Sequence, residues 1–226
     1  GLAFDVALHM GTLMALLLFF HKDIVSLARS LFVKSKHTRL AWLLALATIP
    51  AVIAGVLLES AAATAFRSVK LVGINLIVVA LVMIWAERHF QKRAKHTALD
   101  SINKKQALAA GFAQAAAIIP GVSRSGATIT AGLFVGLDRV VATRFSFLLA
   151  IPITLGAVVK VIFTESGISE IQSEFTLFSV GIASALVSGL FAIKFLLSYL
   201  SKHSLSAFAY YRIILGLTVL ILLTIN

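Results

Sequence analysis

Arg124 stands between Ser123 and Ser125 in the stretch PGVSRSGATIT, residues 120–130, with the apolar AGFAQAAAII before it and AGLFVGL after it. A guanidinium is a fixed positive fork that matches phosphate oxygens. Ser123, Ser125 and Thr128 add hydroxyl donors. Thr128 lies three residues past Ser125, so on a first helical turn its hydroxyl can point the same way. Pro120 stops an incoming helix. Gly121 and Gly126 let the backbone turn tightly, and Ser125 is the expected N-cap of an outgoing helix. The free N–H groups at that helix start, reinforced by its dipole, make an anion site. The set suits a phosphate or diphosphate. The bland alternative pairs Arg124 with carbonyls at a helix end and leaves the serines as caps. That reading would lead in a soluble loop. At membrane depth charge is functional by default, and the binding reading leads.

The elements around this stretch are those of a membrane protein. The 226 residues are 60% hydrophobic and 13% charged, with a mean hydropathy of +1.01, far more apolar than a soluble domain. Six runs are long enough to span a bilayer: 2–20, 40–58, 69–86, 140–163, 175–197 and 207–225. Pro50 and Pro152 should bend their helices locally. The ten-residue alternation of a β-barrel does not occur. A net charge of +11 would suggest nucleic acid in a soluble chain. Here the basic residues cluster between apolar runs, the pattern of cytoplasmic loops, and no nucleic-acid partner is expected. The chain has no cysteine, which excludes disulfides and thiolate metal sites.

Loop charge then constrains the path. Residues 21–39 carry Lys22, Arg29, Lys34, Lys36 and Arg39, and residues 87–105 carry Arg88, Lys92, Arg93, Lys95, Lys104 and Lys105. Both read as cytoplasmic loops. The 164–174 loop has Glu165, Glu170 and Glu174 without Lys or Arg and reads as external. Residues 106–137 must therefore enter and return on one side, and their two arms, 107–119 and 127–137, are each too short to span. A re-entrant helix–loop–helix follows, with PGVSRSG at its tip. Non-helical backbone at that depth survives only when buried in protein or lining a wet cavity. The expected fold is an all-α integral membrane protein, one polytopic domain over 1–226 with about six transmembrane helices and a re-entrant segment.

Other residues carry weaker signals. Gln114 either reaches the site or bonds a neighbouring helix. Gly132 and Gly136 form a G-x-x-x-G pair suited to close helix packing. Asp5 and His9 are four apart on one helix face; they could do acid–base work or hold a cation, or form a polar contact between packed helices. Tyr211 and Arg212 read as interface anchors. The phosphatase motif Ser-Arg, five residues, His, three residues, Asp fails, because Thr130 and Phe134 stand at its last two positions. No G-x-x-x-x-G-K-[ST] loop occurs, which argues against a kinase or ATPase.

GFAQAAAIIPGVSRSGATITAGLFVGLDR resembles the second signature of the bacterial undecaprenyl-diphosphate phosphatases of the BacA type. FDVALHMGTLMALLLFF, TIPAVIAGVL, RFSFLLAIPITLGA and FAYYRIILG are similar to the same family, in the same order. The resemblance implies hydrolysis of undecaprenyl diphosphate to undecaprenyl phosphate and phosphate, recycling of the lipid carrier for cell-wall synthesis, and bacitracin resistance. It implies a multi-pass protein of the bacterial inner membrane, with a polyprenyl diphosphate and membrane lipids as partners and a homodimer allowed. It implies an inverted-repeat architecture with two re-entrant segments. Arg124 carries over as a catalytic residue, and Ser123, Ser125, Gly126 and Thr128 as phosphate-binding residues.

The family also carries a first signature, glutamates before a Pro-Val-Ser-Ser stretch and a histidine, that has no match here. Residue 1 is Gly, and GLAFDVALHMGTLMALLLFF is membrane-like from the start, so an upstream segment is expected. The resemblance places there the nucleophile and the ligands of a divalent cation, Mg²⁺ or Ca²⁺; no metal ligand is assigned to the residues present. A transporter or flippase for lipid phosphate is the rival function, since a midplane anion site with inverted repeats suits it too.

Overall fold

The computed structural model describes residues 2–58, 68–90, 98–162 and 175–225, and all its α and 3₁₀ elements are helical, with no strand among these residues. The helices are α1 (Leu2–Phe19), α2 (His21–Phe32), α3 (Thr38–Leu57), α4 (Val69–Phe90), α5 (Lys104–Ala116), α6 (Arg124–Phe134), α7 (Arg139–Ile162), α8 (Phe175–Leu200) and α9 (Ser206–Ile225). Five of them, α3, α4, α7, α8 and α9, are long and apolar enough to cross a membrane, and α1 with α2 forms a sixth candidate bent by 78°. Helices α3 and α7 run unbroken through Pro50 and Pro152. Neighbouring helices and local adjustments satisfy freed backbone groups in such segments. The acidic loop at Glu165, Glu170 and Glu174, and Lys92, Arg93 and Lys95, lie outside the described residues.

Helix α2 corrects the sequence reading, which placed a loop over 21–39. Its charge obscured a helical period: Ile24 and Leu27 pack on the core, Ser30 is buried, and Lys22 and Arg29 are exposed. Apolar and polar positions three and four apart make an amphipathic helix.

Where helices are equally greasy on all sides, small residues decide which pairs touch. A Cβ on Gly11 of α1 would stand 2.4 Å from the Ile182 carbonyl oxygen of α8. One on Gly216 of α9 would stand 2.8 Å from the Gly73 oxygen of α4, and one on Gly111 of α5 would stand 2.4 Å from the Ala47 oxygen of α3. Each pair thus packs backbone to backbone.

Ion pairs fix the end of the bundle at which α1 stops and α7 begins. Glu87, 6% exposed, accepts from Arg139 Nε at 2.7 Å and from the Leu205 backbone N–H at 3.2 Å. Arg144 Nη2 donates to both Asp23 oxygens at 3.0 Å. His37 Nδ1 meets Asp100 at 2.8 Å. The first clamp ties α4, α7 and the start of α9; the second ties α7 to α2.

Candidate functional site

The segment expected to be re-entrant is a closed hairpin. Asn103 and Gln106 form a capping box at the start of α5, which satisfies two orphan donors of the first turn. Gln106 Nε2 also donates to the Val135 carbonyl at 3.1 Å, so the chain leaves where it entered. Gly136, at φ 81°, ends α6: its N–H bonds the Leu133 oxygen at 3.0 Å and that of Leu137 bonds the Gly132 oxygen at 2.9 Å, a Schellman motif. The expected glycine pair is therefore split in function. A Cβ on Gly132 would meet the Ala142 Cβ at 2.8 Å, whereas one on Gly136 would meet nothing within 4 Å. Gly132 packs α6 on α7; Gly136 turns the chain.

At the tip, a helix end leaves carbonyls that water cannot reach at membrane depth. Two spanning helices supply the donors. Asn75 of α4 donates through Nδ2 to the Pro120 oxygen at 2.9 Å. Arg212 of α9, 9% exposed, donates through Nη2 to the Gly121 oxygen at 2.6 Å and the Val122 oxygen at 3.2 Å. Gly121 lies at φ 87°, and a Cβ there would stand 2.6 Å from the Val72 oxygen. The turn is thus pressed against α4 and held by α9.

Sequence reasoning assigned Arg212 to the interface, because with Tyr211 it begins the last helix. Its burial corrects that reading. The signal lay in the rule that singled out Arg124: an arginine in an apolar spanning helix is held by something.

Ser123, not Ser125, is the N-cap of α6. Its Oγ accepts from the Gly126 N–H at 3.3 Å. Its φ of 68° is unusual for a residue with a side chain, and such strain costs on the order of 1–3 kcal/mol and gathers at functional sites. The shift of the cap by two residues frees Ser125 and starts the helix at Arg124. The first N–H groups of α6 have no partner inside the helix.

Arg124 donates from Nη1 to Thr154 Oγ1 of α7 at 2.8 Å. A guanidinium has five N–H donors, and no carboxylate pairs with this one among the described residues. Arg124 and Ser125 line a cavity of about 370 Å³ together with His9 and Thr12 of α1, Ser146 and Thr154 of α7, and apolar residues of α8. A second cavity of about 350 Å³ shares Ser125, Ala192 and Leu196 with the first. It contains Ser123, Gly126 and Arg212 but is otherwise walled by Met83, Ile129, Phe195, Leu205, Phe208 and Tyr211. Both chambers are largely apolar, the first with Arg124, Ser146 and Thr154 in its lining and the second with Ser123 and Arg212, and Ser125 borders both.

The remaining expected residues fall as follows. Thr128 is buried, and its hydroxyl meets the Arg124 carbonyl at 2.9 Å and the Ser146 hydroxyl at 2.5 Å. It therefore faces α7, and Ser146 is its link to the first cavity. Gly126 leaves room for the cap; a Cβ there would stand 3.1 Å from Ser123 Oγ. Gln114 is 3% exposed and neither polar atom of its amide has a partner among the described residues; it lines neither chamber. His9 lines the first. The side chain of Asp5 lies outside the described residues.

A hard divalent cation takes several oxygen ligands, carboxylates above all. Among the described residues no carboxylate lines the first cavity, and no group of three metal-binding side chains occurs. These residues alone do not make a magnesium or calcium site.

Residues 1–218 match the family model described as bacitracin resistance protein BacA. The undecaprenyl-diphosphatase of Moorella thermoacetica is 44% identical over 96% of this chain and 81% of its own length. That of Pelotomaculum thermopropionicum is 43% identical over 98% and 82%, and that of Gemmatimonas aurantiaca 42% identical over 97% and 82%.

Proposed function

Because the chain belongs to the bacitracin resistance protein BacA family, we infer that it hydrolyses undecaprenyl diphosphate to undecaprenyl phosphate and phosphate, and we propose that the re-entrant tip is where it does so. The activity recycles the lipid carrier of cell-wall synthesis and confers bacitracin resistance. We place it in the bacterial inner membrane.

The observation that carries the assignment of the site is Arg124: a cation at the tip of a membrane hairpin, held by one hydroxyl and matched by no carboxylate among the described residues. Taking a charge out of water costs several kcal/mol unless it is compensated. An anionic ligand supplies that compensation. In this reading the diphosphate lies in the first cavity, against the guanidinium and the free amides of α6. The first isoprene units lie in the second, against Met83, Phe195 and Phe208, with Ser125 at the junction.

Hydrolysis adds water to the terminal phosphorus and breaks its anhydride bond, with undecaprenyl phosphate as the leaving group. Charge is spread over the phosphoryl oxygens and the leaving oxygen in the transition state. Arg124 is placed to bind it as it develops. Thr154 holds the guanidinium fork in one orientation. His9 brings an imidazole to this cavity wall, so it is the residue placed to take or give a proton there. A divalent cation belongs to this reading on the family resemblance alone, and no step is assigned to it.

The test is phosphate release from undecaprenyl diphosphate in detergent, the chain beside its Arg124→Ala variant. Release lost in the variant, at unchanged thermal stability, supports the site. Equal release from both overturns it. Detergent contains no sealed compartment, so release there also separates a hydrolase from a transporter.

A further inference from the structure

We propose that the outward face of α2 is a binding site for an anionic phospholipid headgroup of the adjoining leaflet, separate from the catalytic cavity. The chain turns by 78° between α1 and α2. A helix leaving a spanning segment at nearly a right angle lies along the membrane surface. An amphipathic helix in that position buries apolar side chains among acyl chains and keeps its basic ones at the headgroups.

The faces of α2 are divided accordingly. Asp23, Ile24 and Leu27 turn inward: Asp23 pairs with Arg144, and Ile24 and Leu27 pack on the core. Lys22, Val25, Arg29 and Phe32 recur every three or four residues and line an open groove of about 720 Å³ with His37 at its far end. Phe32 is 89% exposed and Val33 is 70% exposed, which no aqueous surface favours and a lipid surface does.

Charge identifies the occupant. The nearby carboxylates are already paired, Asp23 with Arg144 and Asp100 with His37 at the end of the groove. Lys22 and Arg29 have no acidic partner among the described residues, and Lys34, Lys36 and Arg39 stand exposed just beyond. Basic groups beside exposed hydrocarbon match a phosphodiester carried on acyl chains, and each basic residue near an anionic surface adds attraction.

The test uses the full chain, extracted from vesicles of equal phosphatidylglycerol and phosphatidylcholine, with retained lipid counted by native mass spectrometry. Lys22→Gln with Arg29→Gln is expected to retain about tenfold less phosphatidylglycerol and unchanged phosphatidylcholine. Lys104→Gln with Lys202→Gln, exposed cations elsewhere, serves as control. Phosphate release in detergent should be the same in all. Equal retention of phosphatidylglycerol by the two double variants overturns the proposal. So does displacement of the retained lipid by undecaprenyl phosphate but not by added phosphatidylglycerol, which would assign the groove to the reaction's own lipids. Should the α2 variant fail to fold, salt titration of the unaltered chain decides: retention of phosphatidylglycerol that falls with ionic strength supports the site, and retention indifferent to salt overturns it.

Discussion

Arg212 donates a 2.6 Å hydrogen bond to the carbonyl oxygen of Gly121. One side chain of the last helix thereby fixes the turn that presents Arg124, from 91 residues away in sequence. The same nitrogen reaches Val122, and the glycine contact between α4 and α9 sets the distance. Arg212 thus positions the site and does not depend on touching the substrate to matter. Arg212→Met should lower kcat by about 100-fold, the scale on which small misplacements of a catalytic group are felt. Arg212→Lys, which keeps a donor, should recover part of it. A thermal shift without any change in kcat would leave Arg212 with a role in stability only.

Arg124→Lys keeps the charge and loses the fork. A compact ammonium does not reproduce a bidentate contact, and removing one preorganised donor from a developing anion costs about 100- to 1,000-fold in kcat. Phosphate release under saturating substrate is the readout. Full activity in the lysine variant would mean that charge alone suffices and geometry does not.

Thr154→Val removes the one hydrogen bond that the Arg124 guanidinium makes among the described residues at almost no change in volume. A hydrogen bond to a charged group contributes about 1.5–3 kcal/mol. With substrate bound, the guanidinium gains other partners, so the loss should fall chiefly on kcat, by about tenfold, with KM changed little. An unaltered kcat would show that substrate alone orients the fork.

Gly121 and Gly136 both have positive φ, 87° and 81°, yet only the first is crowded. Gly136→Ala should cost about 1–2 kcal/mol from backbone strain alone. Gly121→Ala adds a Cβ 2.6 Å from the Val72 oxygen and should lower the melting temperature in detergent several degrees further, with loss of phosphate release. Equal melting temperatures would argue that the turn can move off α4.

Much of this architecture is written in local sequence. The expected re-entrant segment, 106–137, contains the observed hairpin to within two residues at its start, Lys104–Ala116 and Arg124–Phe134, because two short apolar arms between loops on one side allow little else. The spanning helices follow from uninterrupted hydrophobic length. What stayed hidden depends on contacts between distant segments or on backbone angles. Ser123 caps α6 through a positive φ that no residue type announces. Thr128 pairs with Ser146, and Arg212 with the tip, only once the helices are packed. Helix α2 was legible in the spacing of Ile24, Leu27 and Ser30, but its basic residues drew the reading toward a loop.

The shared wall between the two cavities has a pharmacological consequence. Ser125, Ala192 and Leu196 border both chambers, so the two adjoin, and a ligand passing Ser125 would address both. A phosphonate directed at Arg124, tethered past Ser125 to a short branched hydrocarbon lying against Phe195 and Phe208, would gain from each half at a high effective concentration set by the tether. Such a compound needs only the first few carbons of a polyprenyl tail. It would be soluble where the natural lipid is not, and it would act on the enzyme itself.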